Sequence, residues 1–292
     1  MPKSNNFFLF LIPAIIWGST WFVITFQLGE VDPLVSVSYR FLIGGIFLFL
    51  YAWLRKLPLR FSLGQHARAA QQGVLLFGIN YWLVYLSEQT LTSGLVAVAF
   101  SSIIFFNIVF GTIFMKAQIN KRVVFGAILG FIGTILIYKA EFSTFKASPE
   151  FIYAVVFGMG SVIFASLGNI TSAFNQKNGM PVIQTTAYGM IYGGLSMAFI
   201  AFVLGKPFII DASFAYLASL AYLSIFGSII AFTTYLTLIG RIGADKAAYT
   251  IVFVPVIAII ISTIYESYPL DVYTIMGILL IVGANLAALI KK

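Results

Sequence analysis

Residues 41–50 read FLIGGIFLFL, ten consecutive positions without a polar side chain. This run lies inside a longer apolar stretch, Pro33 to Leu54, whose only charged residue is Arg40. A helix advances about 1.5 Å per residue, so about 20 apolar residues cross the hydrocarbon core of a bilayer. The strands of a membrane barrel would instead alternate apolar and polar residues over about ten positions. The stretch therefore predicts a membrane-spanning α-helix.

The composition of the whole chain agrees with this prediction. Of its 292 residues, 61% are hydrophobic and only 9% carry a charge. Because soluble domains carry about 25% charged residues, a soluble enzyme, a disordered chain and a nucleic-acid-binding protein are excluded. The net charge of +8 fits the charge bias of membrane proteins better than a phosphate-binding surface. With no Cys and one His, His66, the chain is not expected to hold a metal or any other cofactor.

The criterion of a long apolar run, applied to the whole chain, marks ten predicted spans. All but one are free of charge, and the shortest is Val123 to Tyr138. The amino-terminal stretch is too long for a signal peptide and has no A-x-A cleavage pattern, so it is counted as the first span. The ten are Ser4 to Gly29, Pro33 to Leu54, Ala69 to Ser87, Gln89 to Met115, Val123 to Tyr138, Phe151 to Gln176, Asn178 to Gly205, Ala212 to Gly240, Ala247 to Tyr265 and Val272 to Ile290.

The distribution of Lys and Arg predicts the orientation of these spans. Cytoplasmic loops hold an excess of both residues. With the amino terminus inside, only Lys139, Lys146 and Lys206 face outward, Arg40 lies within a span, and the other Lys and Arg residues face the cytoplasm. We therefore expect an integral protein of the bacterial inner membrane with both termini in the cytoplasm and with lipid around it. The sequence does not indicate an oligomeric state.

An internal repeat is visible at an offset of about 150 residues. This offset pairs Tyr85 with Tyr235, and an offset of 149 pairs Gly44-Gly45 with Gly193-Gly194. The expected fold is all-α, with one five-helix repeat in residues 1–145 and a second in residues 146–292. Because five is odd, the second repeat enters the membrane inverted. Inverted repeats are typical of secondary transporters, which bind substrate near the midplane between the repeats.

The chain resembles the drug/metabolite transporter superfamily in its ten-span EamA-type form. The residues that carry this resemblance run from the first helix to the tenth: Trp17-Gly18-Ser19, Pro33, Arg40, Pro255, Glu266, Gly277 and Gly283. The resemblance implies an inner-membrane exporter or permease of small metabolites. Within the superfamily, the chain is most similar to the YddG-like exporters of aromatic and other amino acids.

Candidate substrate-binding residues are polar and aromatic side chains that recur at helical spacing. Arg40 lies inside its span, where a charge is costly and marks a functional candidate. Binding of a substrate carboxylate, pairing with Glu88 and snorkelling to the headgroups all remain open for it. The other candidates could equally be packing contacts between helices. They are Trp17, Thr20, Trp21, Asn80, Tyr81, Tyr85, Ser101, Asn169, Ser228 and Tyr235, and the candidate hinges are Pro13 and Pro255.

These patterns favour a secondary transporter that exports aromatic and other neutral amino acids by alternating access. No span has Asp or Glu near its centre, which disfavours an antiporter of cationic drugs and favours facilitated efflux. No P-loop is present, so ATP is not expected to drive transport directly. The alternatives are transport of a nucleotide-sugar or a drug-like compound, a channel, and an intramembrane enzyme acting on lipids. A protein of this type is not expected to be an enzyme, and its partner is a small-molecule substrate.

Overall fold

The computed structural model describes residues 4–118, 121–144, 148–267 and 270–289. Over this part of the chain the backbone forms ten helices, named here by their order. Their bounds are Ser4–Thr25, Pro33–Leu54, 63–88, Ser93–Met115, Lys121–Thr144, Pro149–Lys177, Val182–Val203, Phe214–Ile242, Ala244–Tyr265 and Val272–Leu289. The protein is thus an all-α membrane protein, as the sequence predicts.

Seven of these helices are long and apolar enough to cross a membrane by length and composition alone. The third helix falls short because it begins with the polar segment Leu63–Gly73. The apolar parts of the fifth and tenth helices, Val124–Ile137 and Val272–Ala284, are shorter than the others. Together with these three, the seven make up the ten predicted spans.

Local sequence signals fix where several helices begin. The Asp32 side chain accepts a hydrogen bond from the Leu34 N–H, and Pro33 takes the first helical position, where a missing N–H costs nothing. Ser62 and Gln65 form a reciprocal capping box at the start of the third helix. Ser148 and Ser213 cap the sixth and eighth helices, each side chain accepting a hydrogen bond from the backbone N–H three residues further on.

Corresponding helices of the two repeats are interrupted at corresponding places. The third helix contains a π-helical segment at Val74–Ile79, and the eighth contains one at Leu223–Ile230. The fourth helix breaks between Phe100 and Ile103, and the ninth passes through a 3-10 segment at Ala248–Val252. Interrupted helices are where secondary transporters bind their solutes, and π-helical turns are frequent at functional sites.

Helix packing shows a two-fold relation between the repeats. The second helix packs on the seventh, and the fifth packs on the tenth. A Cβ on Gly45 would approach Ile191 to 2.9 Å, and a Cβ on Gly194 would approach Leu42 to 2.8 Å. The offset of 149 relates Gly45 to Gly194 and Leu42 to Ile191. It therefore exchanges the two contacts, as a two-fold axis does. With five helices in each repeat, the two repeats therefore run through the membrane in opposite directions.

The ends of the helices gather at two faces of the molecule. Each face is named here after one of its residues. The Glu88 end holds the end of the third helix, the start of the fourth and Glu266 after the ninth. The Lys116 end holds the end of the fourth helix, the end of the eighth and the start of the ninth. The orientation of these ends relative to the cytoplasm stays a prediction. The predicted boundary between residues 145 and 146 lies outside the described residues.

The two candidate hinge prolines occupy different environments. Pro13 is buried in the middle of the first helix. Pro255 lies in the first turn of the α-helical segment Phe253–Tyr265, directly after the 3-10 segment of the ninth helix. A proline in a first turn removes no intrahelical hydrogen bond, so Pro255 marks the restart of the α-helix and does not kink its interior.

Candidate functional site

A central cavity lies between the two repeats, and its walls come from helices of both. It outlines about 520 Å³ of space not occupied by protein atoms, part of which is open to solvent. The lining residues, none of which is charged, are Trp17, Thr20, Trp21, Ile24, Leu76, Asn80, Tyr81, Val84, Phe100, Ile103, Ala165, Asn169, Phe232, Tyr235, Ile251 and Val254.

Aromatic rings make up much of the cavity wall. The ring of Trp17 meets those of Phe232 and Tyr235 edge to face, each at a centroid distance of 5.0 Å. The indole of Trp21 lies 5.1 Å from the ring of Phe100. Aromatic pairs at such distances are stabilised beyond the burial of their area. The cavity therefore has rigid apolar walls suited to a solute with an apolar or aromatic side chain.

Four polar atoms of the lining are buried without a hydrogen-bond partner in the described part of the chain. They are the indole nitrogen of Trp21, Oδ1 of Asn80, Oδ1 of Asn169 and the hydroxyl of Tyr235. Most buried polar groups are paired, because an unpaired one costs free energy of desolvation. Donors and acceptors left open around one cavity can be satisfied by a polar solute or by water.

Arg40 lies behind the cavity wall and not in the cavity. Its side chain is fully buried, which excludes snorkelling in this conformation. Its Nε donates a hydrogen bond to the Ser228 hydroxyl at 3.1 Å, and its guanidinium lies 4.3 Å from the ring centroid of Tyr81. Neither Nη1 nor Nη2 has a hydrogen-bond partner among the residues described.

The π-helical segment of the eighth helix makes the room that Arg40 occupies. A Cβ on Gly227 would lie 3.2 Å from Nη2 of Arg40 and 3.0 Å from Cγ2 of Thr20. The carbonyl oxygen of Gly227 accepts a hydrogen bond from the Trp17 indole at 3.2 Å. The segment thereby positions both a cavity wall residue and the buried guanidinium.

The structure places seven of the eleven candidate residues on the cavity: Trp17, Thr20, Trp21, Asn80, Tyr81, Asn169 and Tyr235. Arg40 and Ser228 form the layer behind Tyr81, and Tyr85 is fully buried one turn away. Ser101 lies at the break in the fourth helix, where its hydroxyl bonds the Val98 carbonyl oxygen and does not line the cavity. A polar side chain at a helix break can satisfy the freed backbone locally.

Apolar lining residues are the part of the site that the sequence reasoning missed. Phe100 and Phe232 are not among the candidate residues, yet both form the aromatic wall. Their residue type gives no signal, since the chain contains 30 Phe. Phe100 lies next to the break in the fourth helix, which the sequence does not mark.

Comparison with known proteins decides the family. The model of the EamA-like transporter family matches the chain twice, over residues 6–139 and again over residues 152–289. The chain belongs to the EamA-like transporter family. It is therefore a membrane transporter, and the two matches agree with the two repeats seen in the fold.

Curated relatives of this family cover nearly the whole chain. The chain is 28% identical over 290 residues to "Uncharacterized transporter YvbV" of Bacillus subtilis, covering 97% of the chain and 90% of the relative. It is 28% identical over 253 residues to "Uncharacterized inner membrane transporter YedA" of Escherichia coli, covering 85% of the chain and 79% of the relative. "Protein PagO" of Salmonella typhimurium is 21% identical over 293 residues, covering 100% of the chain and 95% of the relative.

A solved structure shares the fold. It is described as "Crystal structure of protein" and superposes with a TM-score of 0.76 at 16% identity, covering 99% of this chain and 97% of that chain. At this identity the likeness supports the fold alone.

Proposed function

We propose that the protein exports small neutral metabolites, most of all aromatic and other neutral amino acids, across the bacterial inner membrane by alternating access. The observation that carries this proposal is the central cavity, which combines aromatic walls with four polar atoms that have no partner within the described residues. An amino acid with an apolar side chain offers both an apolar surface and groups that can pair with those atoms. The name of the Escherichia coli relative supports the inner membrane as the location.

The uncharged lining of the cavity weighs against the alternative solutes. A nucleotide-sugar carries phosphates, which proteins bind through Lys, Arg or several backbone N–H groups. Among the described residues no basic group lines the cavity, and Tyr81 separates the nearby Arg40 from the open space. An enzyme acting on lipids would need a cluster of ionisable groups at one depth, and Tyr is the only ionisable residue type in the lining.

Counterflow tests this proposal. Protein in liposomes preloaded with unlabelled phenylalanine, methionine or threonine should take up the labelled form of the same amino acid, with saturation. A channel would give flux that does not saturate and is not stimulated from the other side. Absence of protein-dependent counterflow for all neutral amino acids would refute the substrate class.

Tyr235→Phe tests whether the cavity is the binding site. The substitution removes only the hydroxyl, which interacts with the Asn107 side chain but makes no hydrogen bond of normal geometry in the described structure, so thermal unfolding is measured beside transport. If the hydroxyl bonds the solute, the loss of one hydrogen bond should raise the apparent KM for phenylalanine about 2- to 13-fold. The matched control is Tyr153→Phe, at a side chain 61% exposed on the sixth helix. An equal KM in both variants would place binding elsewhere.

A further inference from the structure

Glu88, the last residue of the third helix, is a buried carboxylate that the proposed transport site does not use. Its side chain is only 6% exposed, and neither carboxylate oxygen has a hydrogen-bond partner in the part of the chain that the structure describes. An ionised carboxylate removed from water without donors is strongly disfavoured, and such a group is usually neutralised by a proton.

The charged groups around Glu88 do not provide the hydrogen-bond donors that its carboxylate lacks. Glu266, from beyond the ninth helix, and Arg40, from the second, both act on Glu88 electrostatically, and the former opposes a negative charge there. No ion pair joins Arg40 to Glu88 within the described residues, where the guanidinium instead bonds Ser228. Tyr81 and Tyr85, the other titratable groups nearby, lie on the same helix as Glu88.

Glu266 differs from Glu88 because hydrogen-bond donors reach its carboxylate. Its carboxylate accepts hydrogen bonds from the Ser93 backbone N–H, at 3.2 Å, and from the Ser93 hydroxyl. These two bonds join the ninth helix of the second repeat to the fourth helix of the first. Gly94 adds to the same junction, since a Cβ there would lie 2.9 Å from Cβ of Ser262. The Glu266 carboxylate therefore has hydrogen-bond donors at the closed Glu88 end, whereas the Glu88 carboxylate has none within the described residues.

We propose that Glu88 is a proton-binding site, and that proton uptake there accompanies closure of the Glu88 end. The proton comes from bulk water while this end is open, converting the carboxylate to a neutral carboxylic acid. Closure then buries the acid and not the anion. Under the transport function proposed above, on which this last step rests, Glu88 releases this proton to the opposite side while the Lys116 end is open, so that one proton crosses the membrane against each solute exported. Facilitated efflux, which the sequence alone favours, does not include such a step.

Proton binding can be tested without any substrate. Infrared spectra of the protein in vesicles, taken over a series of pH values, should contain the C=O band of a buried carboxylic acid that is lost as the pH rises. The band should be lost in Glu88→Gln. It should persist in Glu150→Gln, which changes an exposed carboxylate at the start of the sixth helix. A spectrum unchanged by Glu88→Gln would overturn the proposal.

The link to closure needs a second measurement. Spin labels can be attached through Thr90→Cys and Ser267→Cys, two exposed positions on either side of the junction, in a chain that has no native Cys. At high pH, where Glu88 loses its proton, the distance between the labels should lengthen. Glu88→Gln, which mimics the neutral acid, should keep the short distance at every pH. A pH response that survives in Glu88→Gln, or none in the parent protein, would contradict the proposal.

Coupling is then measured as proton influx into liposomes driven by an outward phenylalanine gradient. We expect influx with the parent protein and none with Glu88→Gln. Absence of amino-acid transport by the parent protein would refute the proposed function but leave the infrared and distance results intact. Transport without proton movement would refute the coupling alone.

Discussion

At the scale of a single residue, the Arg40 side chain combines three properties. It is fully buried, it stacks on a cavity wall residue, and two of its nitrogens have no partner in the described structure. A charge kept only for stability would be paired, because breaking or omitting a pair leaves an uncompensated buried charge. The guanidinium also interacts with the hydroxyls of Tyr81 and Tyr85. We propose that its charge serves transport and not stability alone.

Replacing Arg40 by Met separates a functional charge from a structural one. Met keeps an unbranched apolar side chain in contact with Tyr81 and removes the desolvated charge, so the midpoint of thermal unfolding should stay equal or rise. Transport should fall by about tenfold or more, since a charge-assisted hydrogen bond contributes about 1.5–3 kcal/mol. The control, Arg55→Met, changes an exposed residue after the second helix. Large unfolding of Arg40→Met with normal specific activity would show that the residue is structural.

At the scale of helices, close packing of the second helix on the seventh depends on two related glycines. Gly45 and Gly194 each face a residue of the other helix, at 2.9 Å and 2.8 Å from an added Cβ, and the two contacts exchange under the repeat. Small residues at helix interfaces in membranes allow the backbones to approach. The two-fold relation can therefore be tested by comparing the stability effects of substituting these two glycines.

Gly45→Ala and Gly194→Ala should destabilise the protein to a similar extent, by about 1–3 kcal/mol each. In both cases the added methyl group meets a side chain and a backbone nitrogen at 3.1 Å, and the backbone cannot move aside cheaply. Reversible unfolding in mixed micelles would measure the loss. Gly283→Ala is the control, because nothing lies within 4 Å of a Cβ at that position. Strongly unequal losses at the two sites would contradict the symmetry of this interface.

At the scale of the whole molecule, the two ends differ in the described conformation. The Glu88 end is joined by Glu266 and Ser93, and the Lys206 ammonium pairs with the Asp32 carboxylate at 3.0 Å. The Lys116 end contains an open cleft of about 720 Å³, whose lining includes Ala117 on one side and Asp245 on the other. In the described conformation the repeats are therefore in contact at the first end and leave a cleft at the second.

The repeat predicts which residues meet when this asymmetry is reversed. An offset of 150 relates Glu266 to Lys116 and Ser93 to Gly243, two residues before Asp245. Alternating access, as proposed, then closes the cleft by bringing Lys116 to the start of the ninth helix, where Asp245 offers an opposite charge. Lys116 and Asp245 form no ion pair in the described conformation.

A cross-link tests this closure. Lys116→Cys with Asp245→Cys, in a chain without native Cys, should form a disulfide under oxidant and stop counterflow, with recovery on reduction. A disulfide needs Cα atoms within about 7 Å, so its formation reports a close approach of these two positions. Each single Cys variant is the control for oxidation itself. Counterflow that continues after complete cross-linking would refute closure at this end as a step of transport.

The sequence by itself determined the ten helices, because continuous apolar runs need the bilayer or a protein interior whatever their neighbours are. It also determined the face that the first helix turns to the cavity: Trp17, Thr20, Trp21 and Ile24 follow helical spacing, which is a local property, and all four line the cavity. The odd number of helices in each repeat likewise followed from counting.

Only the tertiary structure decided which of these faces meet. Phe100 and Phe232 became cavity walls, while Ser101 turned to its own backbone, because helix breaks and π-helical turns shift the register of a helix without a sequence signal. The environment of Glu88 depends on Glu266, far away along the chain. Burial and electrostatic partnership across such a distance arise when helices pack, and no local pattern encodes them.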